Sequence, residues 1–388
     1  MTSVGIIYFF VKWIELLVLY FSGKRMEYCT SKKSYWKIAI VPIVAFALVE
    51  GLRWGRLYDY NVYAERYDLI DNFFTEEEKS SPLFTILVFT LKILGISYPV
   101  FLVIQCGFLM FSALFLLQKF KPYLRWTMPL LIITLVNNEN VIRFYFSQSF
   151  VFISLYYFLE NKYTKCTIYS FASILIHFAQ IPFLLAFFLF GFLNTKRFTP
   201  KISVIIFLVS TFAINISDMN FLVNLATIIS SYFGNSDYQM FAYLNAMDSI
   251  IHGEAGRMGF ILAKITSQVK DVITYVPLLL FCPKCLENQR YGNLIYNLMV
   301  INIVLTPILG QVEVLVRFCY SFNIFTALCL GVCAKNLLRE GLAKRILISC
   351  MLFCYMYAFV NAPFVREDYQ MYFLWDSNGR KTNWAPYF

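Results

Sequence analysis

Arg53, Arg56, Asp59, Glu139, Arg143, His177, Glu254, Arg257, Glu313 and Arg317 stand inside or at the edges of long apolar stretches. Their types allow two kinds of chemistry. A guanidinium is planar, always charged and carries donors spaced to hold two oxygens of one phosphate. An imidazole or a carboxylate can take a proton, and imidazole does so near neutral pH. Arginines converging on one cavity would therefore make an anion site, with His177 or Asp59 as a general base. Each residue also has a plainer reading. Arg53 and Arg56 bracket a helix end. Arg143 and Arg317 pair with Glu139 and Glu313, one helical turn away. A histidine among apolar helices bonds a neighbouring helix. Lys12 and Glu15 lie one turn apart and read as a pair, and Lys92 snorkels from the end of its run.

The composition says what surrounds these groups. Hydrophobic residues make up 59% of the 388-residue chain and charged residues 14%. A soluble domain holds about half and about a quarter respectively. The interior of a soluble fold of this size cannot cover so much apolar surface. Lipid is therefore the solvent for most of the chain, and charges at that depth are functional suspects by default. The net charge of +10 reads as basic loops on the cytoplasmic side, not as a nucleic-acid footprint. Six short segments, 24–37, 119–125, 162–165, 196–201, 282–290 and 335–345, carry 19 of the 33 Lys and Arg residues, opposed only by Glu27, Glu287 and Glu340. Segment 52–81 is acidic on balance and reads as external.

The expected fold is an all-α integral membrane protein, one polytopic domain over 1–388. It has about twelve transmembrane helices plus re-entrant or short ones. Full spans are placed at 4–22, 36–52, 98–118, 141–159, 202–216, 260–281, 291–310, 316–334 and 345–361. Shorter runs lie at 82–96, 127–137, 166–180 and 181–193. The parity of the basic loops requires 82–96 not to cross. The first run reads as a retained span. External segments are expected at about 52–81 and 217–259, with an external tail at 362–388. The intervals Arg125–Lys162 and Lys165–Lys196 are each too short for two full crossings of ~20 residues. Their apexes, near Asn137–Arg143 and His177–Pro182, then lie inside the outer half of the membrane and line an outward-opening cavity. Tyr60, Tyr63, Tyr67 and Phe74 follow a helical 3–4 spacing and are read first as an interfacial anchor.

Cys282-Pro-Lys-Cys285 is a lone CxxC. A zinc site needs two further ligands, and His177 and His252 are both far off in the chain, so no metal is expected. The chain has no P-loop, GxGxxG, GxSxG or HExxH. It also lacks an acidic pair suited to a metal-held nucleotide sugar. ATP-driven pumping, zinc proteolysis and nucleotide-sugar chemistry lose support.

Gly51-Leu-Arg-Trp-Gly-Arg-Leu-Tyr-Asp-Tyr-Asn-Val-Tyr63 resembles the GLRxGxxxDYxxY pattern of the EpsG-like group of Wzy-type polysaccharide polymerases. Asn140-Val-Ile-Arg-Phe-Tyr-Phe-Ser-Gln-Ser149 is similar to that family's IRQ-x-IA helix start, with Phe144 where Gln is usual. Ile176-His177, Val316-Arg317 and the terminal Trp384-Ala-Pro-Tyr387 follow in order, so the resemblance covers nearly the whole chain. It implies a GT-C-like helical fold without metal or other cofactor. The implied activity moves a glycan from one undecaprenyl-pyrophosphate carrier onto the lipid-linked repeat unit of another, at the outer face of the bacterial inner membrane. The implied partners are that lipid-linked oligosaccharide, membrane lipid and a chain-length regulator protein, with no nucleic acid. The catalytic set is then His177, Asp59 and Arg143. The pyrophosphate- and glycan-binding set is Arg53, Arg56, Tyr60, Tyr63, Glu139, Gln148, Arg257 and Arg317. His177 is preferred over Asp59 because a neutral imidazole in a partly dry cavity remains a base near pH 7. The alternatives are a flippase or transporter for the same lipid-linked glycan, and another carrier-lipid transferase such as an O-antigen ligase. A transporter would be expected to show internal pseudo-symmetry, and none is visible.

Overall fold

In lipid every backbone N–H and C=O must be satisfied within the chain, so long apolar runs fold as helices. The computed structural model describes residues 3–54, 58–70, 81–135, 141–192, 196–212, 257–310, 313–361 and 372–373. The expected features at 217–256 and in most of the 362–388 tail lie outside these residues. Among the described residues five helices are long and apolar enough to cross a membrane: Ile6–Glu27, Lys32–Gly51, Tyr98–Thr134, Ile265–Cys285 and Gly292–Leu309. Shorter apolar helices accompany them. The chain divides into two units, one of Met1–Ile181 with Ala358–Pro386 and one of Pro182–Tyr357 with Tyr387–Phe388.

The first unit contains α1 (Ser3–Glu27), α2 (Lys32–Gly51), β1 (Arg53–Trp54), α3 (Tyr58–Leu69) and α4 (Pro82–Ile93). It continues with α5 (Tyr98–Leu117), α6 (Leu124–Thr134), α7 (Ile142–Leu159) and α8 (Tyr163–Ile176). Apart from α3 and α4, its helices run alternately up and down, so like ends gather. At one end lie the basic residues. Lys119 pairs with Glu160. Lys121 donates to the Cys29 carbonyl. Arg125 Nε donates to the Tyr20 hydroxyl at 2.7 Å, and the Tyr35 hydroxyl donates to the Leu114 carbonyl at 2.8 Å.

The opposite end holds the C-terminus of α2 and the N-termini of α1, α5 and α7. There β1 pairs antiparallel with a second short strand, Tyr372–Phe373, matching Arg53 to Phe373. Phe373 also meets Tyr8 of α1 edge-on at 5.0 Å. The tail therefore returns to the same end as the segment after α2. Both ends of α4 lie here too. Ser81, just before it, is within 3.5 Å of Arg143, and Lys92, in its last turn, donates to the Ile70 carbonyl at 3.0 Å. A helix of 12 residues is about 18 Å long, too short to cross ~30 Å of hydrocarbon. Gly95, at φ +73°, ends α4 with a left-handed cap whose Ile96 N–H reaches back to the Leu91 carbonyl at 3.0 Å.

Serines tie α7 to α8. Ser147 Oγ donates to the Ser173 carbonyl at 2.7 Å, and Ser154 Oγ lies 2.7 Å from Ser170 Oγ. Such bonds join helices where no hydrophobic force between them exists.

The second unit contains α9 (Ile181–Phe192, whose first residue closes the other unit), α10 (Pro200–Phe212), α11 (Arg257–Cys285) and α12 (Gly292–Leu309). It ends with α13 (Glu313–Tyr320), α14 (Asn323–Leu337) and α15 (Leu342–Tyr355). A further five-residue helix, α16 (Tyr357–Asn361), follows and belongs from Ala358 onward to the first unit, as does β2, the Tyr372–Phe373 strand. The expected continuous span at 316–334 is broken between α13 and α14. At the break Asn302 Nδ2 donates to Asn323 Oδ1 and to Thr326 Oγ1, each at 2.9 Å. These side chains bond one another beside the interruption. The CxxC pair has company: Cys282 and Cys285 on α11 meet Cys329 and Cys333 on α14 thiol to thiol. Among the described residues no group of three or more His, Cys, Asp or Glu is arranged to hold a metal ion.

Two expected results arise from this architecture. Gly51 lies so close to α5 that an added Cβ would sit 2.6 Å from Val103 Cα and 2.8 Å from its N. Backbone cannot step aside cheaply, so Gly51→Ala should cost about 1–3 kcal/mol, read as a lower thermal midpoint of the purified protein. An unchanged midpoint would mean that α2 and α5 separate freely. The second concerns sidedness. With the native cysteines replaced, Glu65→Cys should react with an impermeant thiol reagent in intact spheroplasts, and Lys33→Cys only after permeabilisation. The reverse pattern would invert the orientation.

Candidate active site

At the α7 N-terminal end of the first unit, helices α3, α4, α5 and α7 line a cleft with a cavity volume of about 60 Å³. Its walls are Tyr63, Arg66, Tyr67 and Ile70 from α3 and its end, Phe84, Thr85 and Val88 from α4, Tyr98 and Phe101 from α5, and Arg143 from α7. The lining follows from helical spacing. Residues 63, 66, 67 and 70 are i, i+3, i+4 and i+7, one face of a helix. Tyr60, Tyr67, Phe84, Tyr98 and Phe101 are buried in one aromatic cluster. The three tyrosines of the stripe are therefore core and cleft wall, not an interfacial anchor, because they pack with Phe84 and Val88 of α4, and Phe74 lies outside the described residues. The Tyr67 hydroxyl donates to the Ile96 carbonyl at 2.5 Å, and the Tyr98 hydroxyl to the Tyr60 carbonyl at 3.3 Å. Burial pushes the Tyr60 phenol well above its ordinary pKa, so it remains protonated and neutral.

Arg143 is in the first turn of α7. Its Nε donates to the Tyr63 hydroxyl at 2.9 Å, and its guanidinium lies over the same ring at 5.4 Å from the centroid. A terminal nitrogen lies 3.5 Å from Ser81 Oγ. The N-cap of α7 is Val141, which has no side chain to cap the helix. The first N–H groups of α7 and the positive end of its dipole thus share one end of the helix with Arg143. His177 follows α8 in extended conformation and precedes a short 3-10 turn, Phe178–Gln180. Its ring meets Phe144, the residue after Arg143, edge-on at 5.9 Å. The structure therefore brings His177 and Arg143 to the same end of the α7–α8 pair, although His177 is not among the residues lining the cleft.

The other expected residues are distributed differently. Arg53 is 0% exposed and pairs with Glu50 at 3.1 Å. It does not line the cleft and is held by Glu50 in the buried interior of the first unit. Glu50 in turn binds Lys12, and Lys12 pairs with Glu15 at 2.9 Å. The expected Lys12–Glu15 pair is thus half of a buried quartet that also fixes Arg53. Tyr60 lies in the aromatic core, and Tyr63 lines the cleft. Gln148 is fully buried inside α7. Arg317 is half-buried on α13 of the second unit. Arg56 and Glu139 lie outside the described residues, as do the side chains of Asp59 and Arg257.

Sequence reasoning missed Arg66, Tyr67 and Tyr98 as lining residues. Arg66 was detectable, since it falls between Tyr63 and Tyr67 on the same helical face. Tyr98 carried no signal, because its place depends on how α5 meets α3.

Fold and cleft together define an all-helical membrane protein with an apolar, aromatic-walled pocket carrying two arginines. Residues 36–376 match the EpsG family, and the chain belongs to that family of Wzy-type polymerase-like membrane proteins. No curated protein and no solved structure matches the chain.

Proposed function

We propose that the protein polymerises lipid-linked oligosaccharide repeat units. It would transfer a glycan from an undecaprenyl-pyrophosphate carrier to the non-reducing end of another lipid-linked repeat unit, at the outer face of the bacterial inner membrane. The observation that carries this reading is Arg143, braced by Tyr63 and Ser81 on the wall of an otherwise apolar cleft. A lipid pyrophosphate is an anion on a hydrocarbon stem. The cleft offers Arg143 and Arg66 to the first part and Ile70, Phe84, Val88 and Phe101 to the second.

In the reaction the acceptor hydroxyl oxygen bonds to the donor sugar C1 as the C1–O bond to pyrophosphate breaks. His177 takes the hydroxyl proton, and the carrier pyrophosphate leaves with the electron pair. Negative charge grows on the leaving group, and preorganised guanidinium donors stabilise it without reorganisation. The good leaving group removes any need for ATP or a nucleotide. Arg143, Arg66 and Tyr63 are assigned to donor binding, and Asp59 remains the alternative base. Arg53 acts at a remove, by its ion pair with Glu50 at the end of α2.

Purified protein given its native lipid-linked repeat unit should produce a ladder of longer products. Transbilayer movement of intact substrate with no ladder would make it a transporter. His177→Gln keeps hydrogen bonding without useful basicity and should slow elongation about 10²–10⁴-fold, with donor binding nearly unchanged. Normal elongation in that variant would move the base to Asp59.

A further inference from the structure

The first helix carries an exposed apolar stripe that leads into cations at the basic end of the first unit. Along α1, Ile7, Phe10, Ile14, Leu17 and Phe21 are all exposed. Their 3–4 spacing makes one continuous apolar stripe. It is about 21 Å long from Ile7 to Phe21 at the helical rise, the reach of an extended acyl chain. One turn beyond, the same face continues as Lys24, Arg25 and Tyr28. With Phe21 these residues form an open concavity of about 430 Å³.

The two cations there differ from three others at this end of the unit. Lys119 is paired with Glu160, Lys121 donates to a backbone carbonyl, and Arg125 is bound to Tyr20 and lies over the rings of Tyr20 and Trp126. The side chains of Lys24 and Arg25 are exposed and make no hydrogen bond or ion pair with any described residue. Glu27, the nearest acid in the chain, is half-buried and is not among the residues lining the concavity. Uncompensated positive charge at the end of a lipid-facing stripe complements one kind of molecule, with its anion at the interface and its hydrocarbon along the helix.

We propose that this face of α1 binds one anionic phospholipid of the leaflet at the basic end. Its phosphodiester sits between Lys24 and Arg25, Tyr28 stands beside the headgroup, and an acyl chain lies on the Leu17–Phe21 part of the stripe. A zwitterionic lipid has the same hydrocarbon but brings a compensating cation, so Lys24 and Arg25 discriminate against it. The site is separate from the catalytic cleft, which lies at the opposite end of the same helices. It does not depend on the polymerase reading.

The test is native mass spectrometry of the full chain in detergent, titrated with phosphatidylglycerol or phosphatidylcholine of equal chain length. One phosphatidylglycerol should bind at least tenfold more tightly than phosphatidylcholine. Each basic residue near an anionic headgroup is worth roughly fivefold, so Lys24→Gln/Arg25→Gln should weaken phosphatidylglycerol about 30-fold. Both residues are exposed, so this variant should keep its fold. The control, Lys32→Gln/Lys33→Gln, removes the same charge from the start of α2 and should bind as the wild type does. Equal binding of the two lipids, or equal loss in the control, would overturn the site. Displacement of phosphatidylglycerol by millimolar inorganic phosphate would also overturn it, in favour of a free-anion site.

Discussion

Lys12→Met should cost the protein about 3–5 kcal/mol of stability, the usual penalty for removing one partner of a buried ion pair. Lys12, Glu15, Glu50 and Arg53 are each at most 4% exposed. Two cations and two anions leave the quartet neutral, the condition under which charges are tolerated at such depth. Lys12 is the hinge of the set, because it binds both Glu15 and Glu50. Without it Glu50 still has Arg53, whereas Glu15 loses its one ion pair among the described residues. The companion variant separates charge from shape. Lys12→Met/Glu15→Gln removes one charge of each sign and leaves Glu50–Arg53 balanced, so it should recover most of the lost thermal midpoint. Measurement of both variants in detergent decides the matter. If the single variant is as stable as the wild type, or the double is no better than the single, the quartet is not an ionised network.

That quartet also shows how far a sequence can be read. Pairing of Lys12 with Glu15 was visible because the two are three residues apart. Glu50 gave an equally local signal, an acid inside an apolar run one turn before Arg53, and it changes the reading of Arg53 from ligand to internal partner. The link from Lys12 to Glu50 spans 38 residues and depends on α1 lying against α2, which no local pattern encodes. The helices themselves were legible, since apolar runs have one stable form in lipid. Expected starts at 98, 141 and 291 fall within a residue of α5, α7 and α12. The break between α13 and α14 was hidden inside one apolar run, and the Asn302 side chain that bonds Asn323 and Thr326 beside it comes from another helix. The count of about twelve crossings depends on sidedness as well as helix length, and labelling of Glu65→Cys and Lys33→Cys addresses that. At the site, Arg143 and Tyr63 were legible by type, and their contact with each other was not.

The sharpest consequence of that contact concerns Arg143. Arg143→Lys should lower polymerisation by about 10²–10³-fold, the loss seen when one preorganised donor to a developing oxyanion is removed. Insertion and monodispersity should be retained. Lysine keeps the charge but replaces a planar fork with a single ammonium. It cannot hold Tyr63 and Ser81 while also presenting paired donors to a pyrophosphate. The neighbouring residues supply the discriminating control. Tyr63→Phe leaves the ring under the guanidinium but removes the hydroxyl that accepts from Nε at 2.9 Å. A hydrogen bond to a charged group is worth about 1.5–3 kcal/mol, so this variant should lose roughly 10–100-fold by misplacing Arg143 without removing it. The double variant should then be little worse than Arg143→Lys alone, because the brace has nothing left to aim. Full additivity would mean that Tyr63 acts on the substrate independently. Wild-type turnover by Arg143→Lys would remove Arg143 from catalysis and leave Arg66 as the cleft's remaining guanidinium for the leaving group.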